Sequence, residues 1–241
     1  MSIADKLTTI AENEQKVYDA GKQAEYDEFW DVVQNKGNAI NYEYAFCGVS
    51  WKIDNFKPKY DLKPVRMAWM FYQNKIQGSL KEILLQQGKT LDTSASTSMK
   101  EAFYHSNFTE LPTIDFTATT SSQSIQNCFA GCQKLVTIEK IIMPTNSAVQ
   151  YGGLFANAYA LKNLTIEGEI MQTLSLTSCT ITVESAKSVI NALKNFIGTD
   201  KELTYKLTLK GTVWTALNEA EAPPNCDTWQ EYVYSLGWNY A

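Results

Sequence analysis

One pattern of apolar and polar residues recurs through the middle of the chain. Phenylalanine appears at Phe103, Phe129 and Phe155, a spacing of 26 residues each time. Each phenylalanine is followed by a polar corner, a leucine and a triplet of threonine, isoleucine and an acid. The triplets are residues 113–115, 137–139 and 165–167. A fixed period of this length is typical of repeat proteins, and an earlier unit around Phe71 precedes Phe103 by 32 residues.

The repeated pattern predicts units that stack on one another. In each triplet the isoleucine alternates with polar neighbours, as in a short strand that has one face on a core and the other in water. A single unit cannot bury its own apolar side chains, although each gains roughly 1.5–3 kcal/mol on removal from water. The sequence therefore predicts an α/β fold in which residues 67–172 form a short solenoid with capped ends.

Strand alternation would place the polar residues of the triplets on one solvent-facing ladder, which we expect to be the binding surface. Its residues are Thr113, Asp115, Thr137, Glu139, Thr165 and Glu167. Acids at matching positions of neighbouring units would lie about 4.8 Å apart, near the carboxylate spacing of about 5 Å in retaining glycosidases. A ladder that keeps the sheet soluble is the favoured interpretation, so no catalytic residue is predicted.

The N-terminal segment, residues 1–36, has the pattern of an amphipathic helix. Apolar or small residues recur at spacings of three and four, as in a heptad repeat. These residues are Ile3, Leu7, Ile10, Val17 and Ala24. We expect a long helix that forms a homo-oligomeric coiled coil, such as a trimer. The alternative is a single helix that folds back on the body of the protein through Phe29, Trp30 and Val33.

Two further segments flank the predicted solenoid. Residues 37–66 alternate in a way that predicts an N-terminal cap with a hairpin or two short strands over 38–62. Residues 173–241 predict an α/β C-terminal cap: a helix from Val183, with Thr182 as its N-cap and Gly198 as its stop, a strand over 203–209, and a last helix over 227–236.

Composition and charge narrow the classes of partner. The 241 residues carry a net charge of −5 without a basic cluster, so no nucleic acid partner is expected. We expect neither a signal peptide nor membrane insertion, because no apolar run approaches the ~20 residues of a membrane span. Five cysteines without a Cys-x-x-Cys pair and a single histidine, His105, favour reduced thiols and predict no metal site and no cofactor.

The repeat resembles the BspA-type leucine-rich repeats of bacterial surface proteins. The likeness covers residues 67–172 and depends on the 26-residue period, the residues 131–132 and 157–158 after the phenylalanines, and the Leu-x-x-Ile cadence. It implies a short leucine-rich-repeat-like solenoid. The front of the chain, at residues 13–19, 44–48, 51 and 56–61, is similar to the opening of tail and virion proteins from bacteriophages of gut Firmicutes.

These resemblances imply a function without catalysis. The expected function is that of a tail- or head-attached structural protein of the bacteriophage virion, assembled in the host cytoplasm, whose repeat domain binds a host-surface glycan or protein. Its other partners would be further virion proteins and copies of itself. A bacterial BspA-like adhesion or protein-interaction protein is the alternative, and a glycan hydrolase comes third.

Overall fold

The computed structural model describes residue 24 and residues 27–50 and 56–241. The fold is α/β. Its helices are α1 (residues 27–33), a 3-10 turn at Asn35–Gly37, α2 (Leu80–Gln86), α3 (Val183–Asn191), α4 (Gly211–Asn218) and α5 (Trp229–Ser235). Its strands are β1 (Gly78–Ser79), β2 (Phe108–Leu111), β3 (Ile114–Asp115), β4 (Thr137–Ile142), β5 (Asn163–Glu167), β6 (Leu174–Leu176), β7 (Lys206–Leu209) and β8 (Asn239–Tyr240).

The larger sheet contains five parallel strands. Strand β4 pairs with β5 on one side and with both β2 and β3 on the other, and β1 pairs with β2 at the edge. Strands β2 and β3 therefore behave as one strand that is interrupted at Pro112 and Thr113. Proline has no N–H to donate to the ladder, which explains a break at this point.

A second ladder joins five turn segments of the described chain. We call these the turn segments: residues 42–48, 67–73, 99–105, 125–131 and 151–157. The backbone N–H of Phe103 donates to the carbonyl of Cys128 at 3.0 Å, and the N–H groups of Phe46, Phe71 and Phe129 make the equivalent bond to the next segment. The first segment replaces the predicted hairpin, since the described residues of 38–62 contain turns and isolated bridges instead of paired strands.

A column of phenylalanine rings runs through the turn segments. Phe103 stacks on Phe129 with ring centroids 5.8 Å apart, and Phe129 stacks on Phe155 at 5.5 Å. Phe71 and Phe46 extend the column at spacings of 5.4 and 5.2 Å. All five rings are buried. The stacking predicted for Phe103, Phe129 and Phe155 is thus confirmed, and the column has two members more than the three-unit pattern indicated.

Helix α1 covers one end of this column. Trp30 is 1% exposed and contacts the rings of Phe46 and Phe56, at centroid distances of 5.7 and 5.6 Å. The side chain of Gln34 donates to the carbonyl of Tyr60 and accepts from its N–H, both at 2.9 Å. The helix therefore packs on the body through Trp30. Of the predicted heptad, Ile3, Leu7, Ile10 and Val17 lie outside the described residues, and Ala24 is helical and exposed.

The C-terminal part follows the prediction in outline. Thr182 caps α3 by accepting a hydrogen bond from the N–H of Ser185, as expected. The helix ends at Asn191 rather than near Gly198, because Leu193 forms a parallel bridge with Ile170 and pulls the chain away from the helix axis.

Three parallel strands, in the order β6-β7-β8, form a second sheet with α3, α4 and α5 around it. Strand β7 and helix α5 lie within the predicted segments. Helix α4 was missed, since it starts at a glycine and its N-cap Lys210 makes no side-chain capping bond. None of the described helices is long and apolar enough to cross a membrane.

Candidate functional site

The six residues of the predicted ladder are all at least partly exposed, as expected. Their predicted alignment is wrong at one position. Asp115 lies opposite Ile142, and Ile142 lies opposite Glu167, so Glu139 sits three residues before the rung that Asp115 and Glu167 share. At about 3.3 Å per residue, Asp115 and Glu139 are displaced by about 10 Å along the sheet, and the expected pair of neighbouring carboxylates is not formed.

A bulge in β4 causes this displacement. Ile138 pairs with Leu164 and Ile141 pairs with Ile166, so two residues of β4 lie opposite the single Thr165 of β5. Thr137 consequently lies opposite Glu110 and Asn163 instead of Thr113 and Thr165. Thr113 reaches the ladder differently, because its hydroxyl donates to the carboxylate of Glu139 at 3.5 Å.

Lysines neutralise the acids on this face. Lys81 lies 3.1 Å from Glu139 and 3.7 Å from Glu110, and Lys140 lies 2.7 Å from Glu167. Hydrogen bonding to Glu139 and Glu167 raises the pKa of Lys81 and Lys140, respectively. The ladder is therefore a set of satisfied surface ion pairs, which leaves little charge on it for a ligand.

Sequence reasoning missed a polar groove of about 500 Å³ at the corner that follows the phenylalanines. Its wall is formed by the side chains of Gln73, Lys75, His105, Asn107, Gln133 and Lys134, and its floor by Gly48 and Gly131. We call it the corner groove. Ligand pockets commonly measure about 300–1,000 Å³, so its size suits a small ligand or one unit of a polymer.

The corner groove arises because one backbone conformation recurs at the second residue after each phenylalanine. That residue has a positive φ in every turn segment: 68° at Gly48, 53° at Gln73, 53° at His105, 71° at Gly131 and 58° at Asn157. Glycine and asparagine favour this left-handed region. Their recurrence two residues after phenylalanine is the signal in the sequence that could have revealed the corner.

His105 is held in a fixed place within the groove. A Cβ atom on Gly131 would lie 2.6 Å from its Nε2, so the imidazole rests directly on the glycine. The Tyr104 ring meets the imidazole edge to face, with centroids 4.4 Å apart. The absent side chain at position 131 therefore makes room for the only histidine of the chain.

The charge of the corner groove is opposite to that of the whole protein. It is lined by Lys75 and Lys134 but by no acidic residue among those described, while the chain carries a net charge of −5. Neither lysine forms an ion pair with any residue that the structure describes, in contrast to Lys81 and Lys140 on the ladder. Two exposed ammonium groups are thus available to an anion.

The cysteines are free, as predicted. Cys128, Cys132 and Cys179 are buried, Cys226 is partly buried and Cys47 is exposed. Burial raises the pKa of Cys132 to about 11 and that of Cys179 to about 12, so neither forms the reactive thiolate at neutral pH. Within the described ranges, no group of three or more His, Cys, Asp or Glu side chains could hold a metal ion.

The fold and the groove define an α/β protein with two parallel sheets, stacked turn segments and a polar surface groove. The chain matches no protein-family model, no curated protein and no solved structure.

Proposed function

We propose that the chain is a binding protein in which the turn segments and strands form a short leucine-rich-repeat-like solenoid. The continuous column from Phe46 to Phe155 carries this proposal, because each ring contacts only the segments next to it, as in a quasi-one-dimensional repeat. Such stacking exposes equivalent corners and strand faces in a regular row. Rows of this kind offer a broad surface to a host glycan or protein.

Binding is favoured over catalysis by the state of the titratable groups. Glu139 and Glu167 engage lysines, whereas the exposed cations of the corner groove suit the recognition of an anion. We expect the purified chain to release no new reducing ends from bacterial cell-wall glycans. Turnover that is lost in Glu139→Gln would contradict this and would favour a glycan hydrolase.

We further propose that the binding domain is mounted on a bacteriophage particle, on the head or the tail. The similarity of residues 13–19 and 44–48 to virion proteins supports this, and the packing of Trp30 on Phe46 would hold an N-terminal mount rigidly against the body. A bacterial adhesion protein remains the alternative, supported by the likeness of residues 67–172 to surface repeats.

Immunogold electron microscopy distinguishes the two locations. An antibody raised against residues 56–241 would be applied to lysates and to intact cells of the encoding bacterium or lysogen. Labelling at one fixed place on phage particles is the expected result. Labelling of the bacterial surface in the absence of particles would overturn the virion proposal in favour of adhesion.

The predicted homo-oligomer needs a separate measurement. Size-exclusion chromatography with light scattering on the full chain should give a multiple of the monomer mass of 27.1 kDa. The double variant Leu7→Glu, Ile10→Glu should give the monomer mass, because charges cannot be buried in a heptad seam. A monomeric wild-type chain would sink the coiled coil.

A further inference from the structure

We propose that the corner groove is a binding subsite for one unit of an acidic glycan, a sugar that carries a carboxylate or phosphate group among its hydroxyls. This inference deepens the proposed function and rests on it. It assigns the ligand contact to the turn segments, away from the solvent-facing strand ladder that the sequence indicated.

The anionic part of the ligand follows from Lys75 and Lys134. Both ammonium groups line the groove, and neither is engaged by a carboxylate among the described residues. Most lysines around them have a different fate, since Lys59, Lys81, Lys140 and Lys194 each contact an acid within 3.1 Å. In a chain with net charge −5, two free cations in one groove favour a single bound carboxylate or phosphate.

The sugar part follows from the remaining wall. Gln73, Asn107 and Gln133 each offer an amide that can donate and accept hydrogen bonds, which matches the vicinal hydroxyls of a sugar. His105 adds an imidazole in a fixed position over Gly131. Apart from the glycines of the floor, every lining residue is polar, so the groove presents no pocket for an apolar group.

This lining disfavours two other polymers that carry negative charge. A nucleic acid would require aromatic side chains on which its bases could stack, and the lining has no phenylalanine, tyrosine or tryptophan. An acidic peptide that binds tightly would need apolar anchors in pockets, which the groove does not provide. The acidic glycan is the occupant that uses both the lysines and the amides.

Isothermal titration calorimetry on the full chain tests the proposal with defined probes. These are trigalacturonic acid, glucose 6-phosphate, neutral maltotriose, inorganic phosphate and an oligothymidylate. At least one of the two acidic sugars should bind, more weakly as salt is raised, and maltotriose should bind at least about tenfold more weakly. Absence of binding by both acidic sugars, or tighter binding of inorganic phosphate or oligothymidylate, would overturn the acidic-glycan assignment.

Matched variants locate the binding. Lys75→Gln and Lys134→Gln should each weaken binding of the acidic sugar by about tenfold, because each removes one charged hydrogen bond. Lys206→Gln changes an exposed lysine of β7 that lies outside the groove and should bind as the wild type does. Thermal melting checks that all three variants fold.

Failure of this subsite is distinguishable from failure of the proposed function. The same variants would be labelled and applied to intact bacterial cells. Cell binding that survives both lysine changes would refute the groove while leaving the binding function in place. A wild-type chain that binds neither cells nor any array of bacterial surface glycans would refute both.

Discussion

The imidazole of His105 lies on the α-carbon of Gly131, so closely that a methyl group there would meet three of its ring atoms at 2.6–2.7 Å. The glycine thus serves two purposes: it adopts φ of 71°, and it gives the histidine a place on the neighbouring turn segment. The corner groove depends on both, because the same glycine forms part of its floor.

Gly131→Ala separates these two purposes when it is compared with Gly48→Ala. Both changes impose a left-handed conformation on alanine, which costs roughly 1–2 kcal/mol. A side chain at position 48 would meet nothing within 4 Å, so only Gly131→Ala should also displace His105. We expect a larger loss of unfolding free energy for Gly131→Ala in urea titrations. The double variant Gly131→Ala, His105→Ala should recover the difference, and equal losses for the two glycines would contradict the contact.

Phe129→Ala tests the column of rings. Phe129 is buried and stacks on Phe103 and on Phe155, so its removal leaves a cavity between two neighbours. We expect a loss of about 3–5 kcal/mol in the free energy of unfolding. Tyr234→Ala is the control, because that ring is 54% exposed on α5 and its removal should cost little. Similar losses for both would show that the column does not hold the segments together.

Part of this fold was predictable because a repeat advertises itself by its period. The spacing of 26 residues between Phe103 and Phe129 was enough to stack them, since equivalent positions in stacked units must meet. The register at Glu139 was not predictable in the same way. It depends on one extra residue in the β4 bulge, which changes no apolar spacing that the pattern could detect.

The corner groove was hidden for a different reason. Its wall comes from residues far apart in sequence, such as Lys75 and Lys134, and its floor comes from glycines whose contribution is a missing side chain. A search for clusters of chemical groups along the chain does not detect either feature. Equivalent corners become neighbours only when the turn segments stack.

The ion pair between Asp31 and Lys59 should make the docking of α1 sensitive to pH. Their side chains are 2.9 Å apart, and Tyr60 also donates to Asp31 at 2.9 Å. The hydrogen bond from Lys59 holds the pKa of Asp31 below its ordinary value. A lowered pKa contributes stability above the unfolded value of about 3.9 and loses it as pH falls through the folded value. Wild type and Asp31→Asn should therefore differ in stability at pH 7 and converge in acid.

The same pair gives an alkaline limit. Asp31 raises the pKa of Lys59, so the contribution of the lysine is present below its unfolded value of about 10.4 and is lost as pH rises through the folded value. Urea titrations across this range would measure both limits. Asp200→Asn, at a carboxylate whose side chain is 84% exposed, is the control. A constant difference between wild type and Asp31→Asn at every pH would contradict the assignment.

Glu139→Gln measures how much the ladder contributes to stability. Its partner Lys81 and the carboxylate itself are both partly exposed, with 33% and 43% of their side-chain surface accessible, so solvent screens their attraction. Surface pairs of this kind are worth about 0–1 kcal/mol, and we expect a loss within that range by chemical denaturation. Lys81→Met should cost a similar amount. A loss of several kcal/mol would mean that Glu139 has a structural role beyond this ion pair.

Thiol reactivity reports on the interior between the turn segments. Cys132 donates to the carbonyl of Phe103 at 2.8 Å, so its thiol bridges two turn segments, and burial raises its pKa to about 11. An aromatic disulfide reagent at pH 8 should modify Cys47 quickly and Cys132 only as the protein unfolds, because the thiolate is the reacting form. Cys128 and Cys179 should react together with Cys132 in urea. Prompt modification of Cys132 in the folded protein would show that neighbouring turn segments separate readily, and the rigid row of corners needed for the glycan subsite would then be untenable.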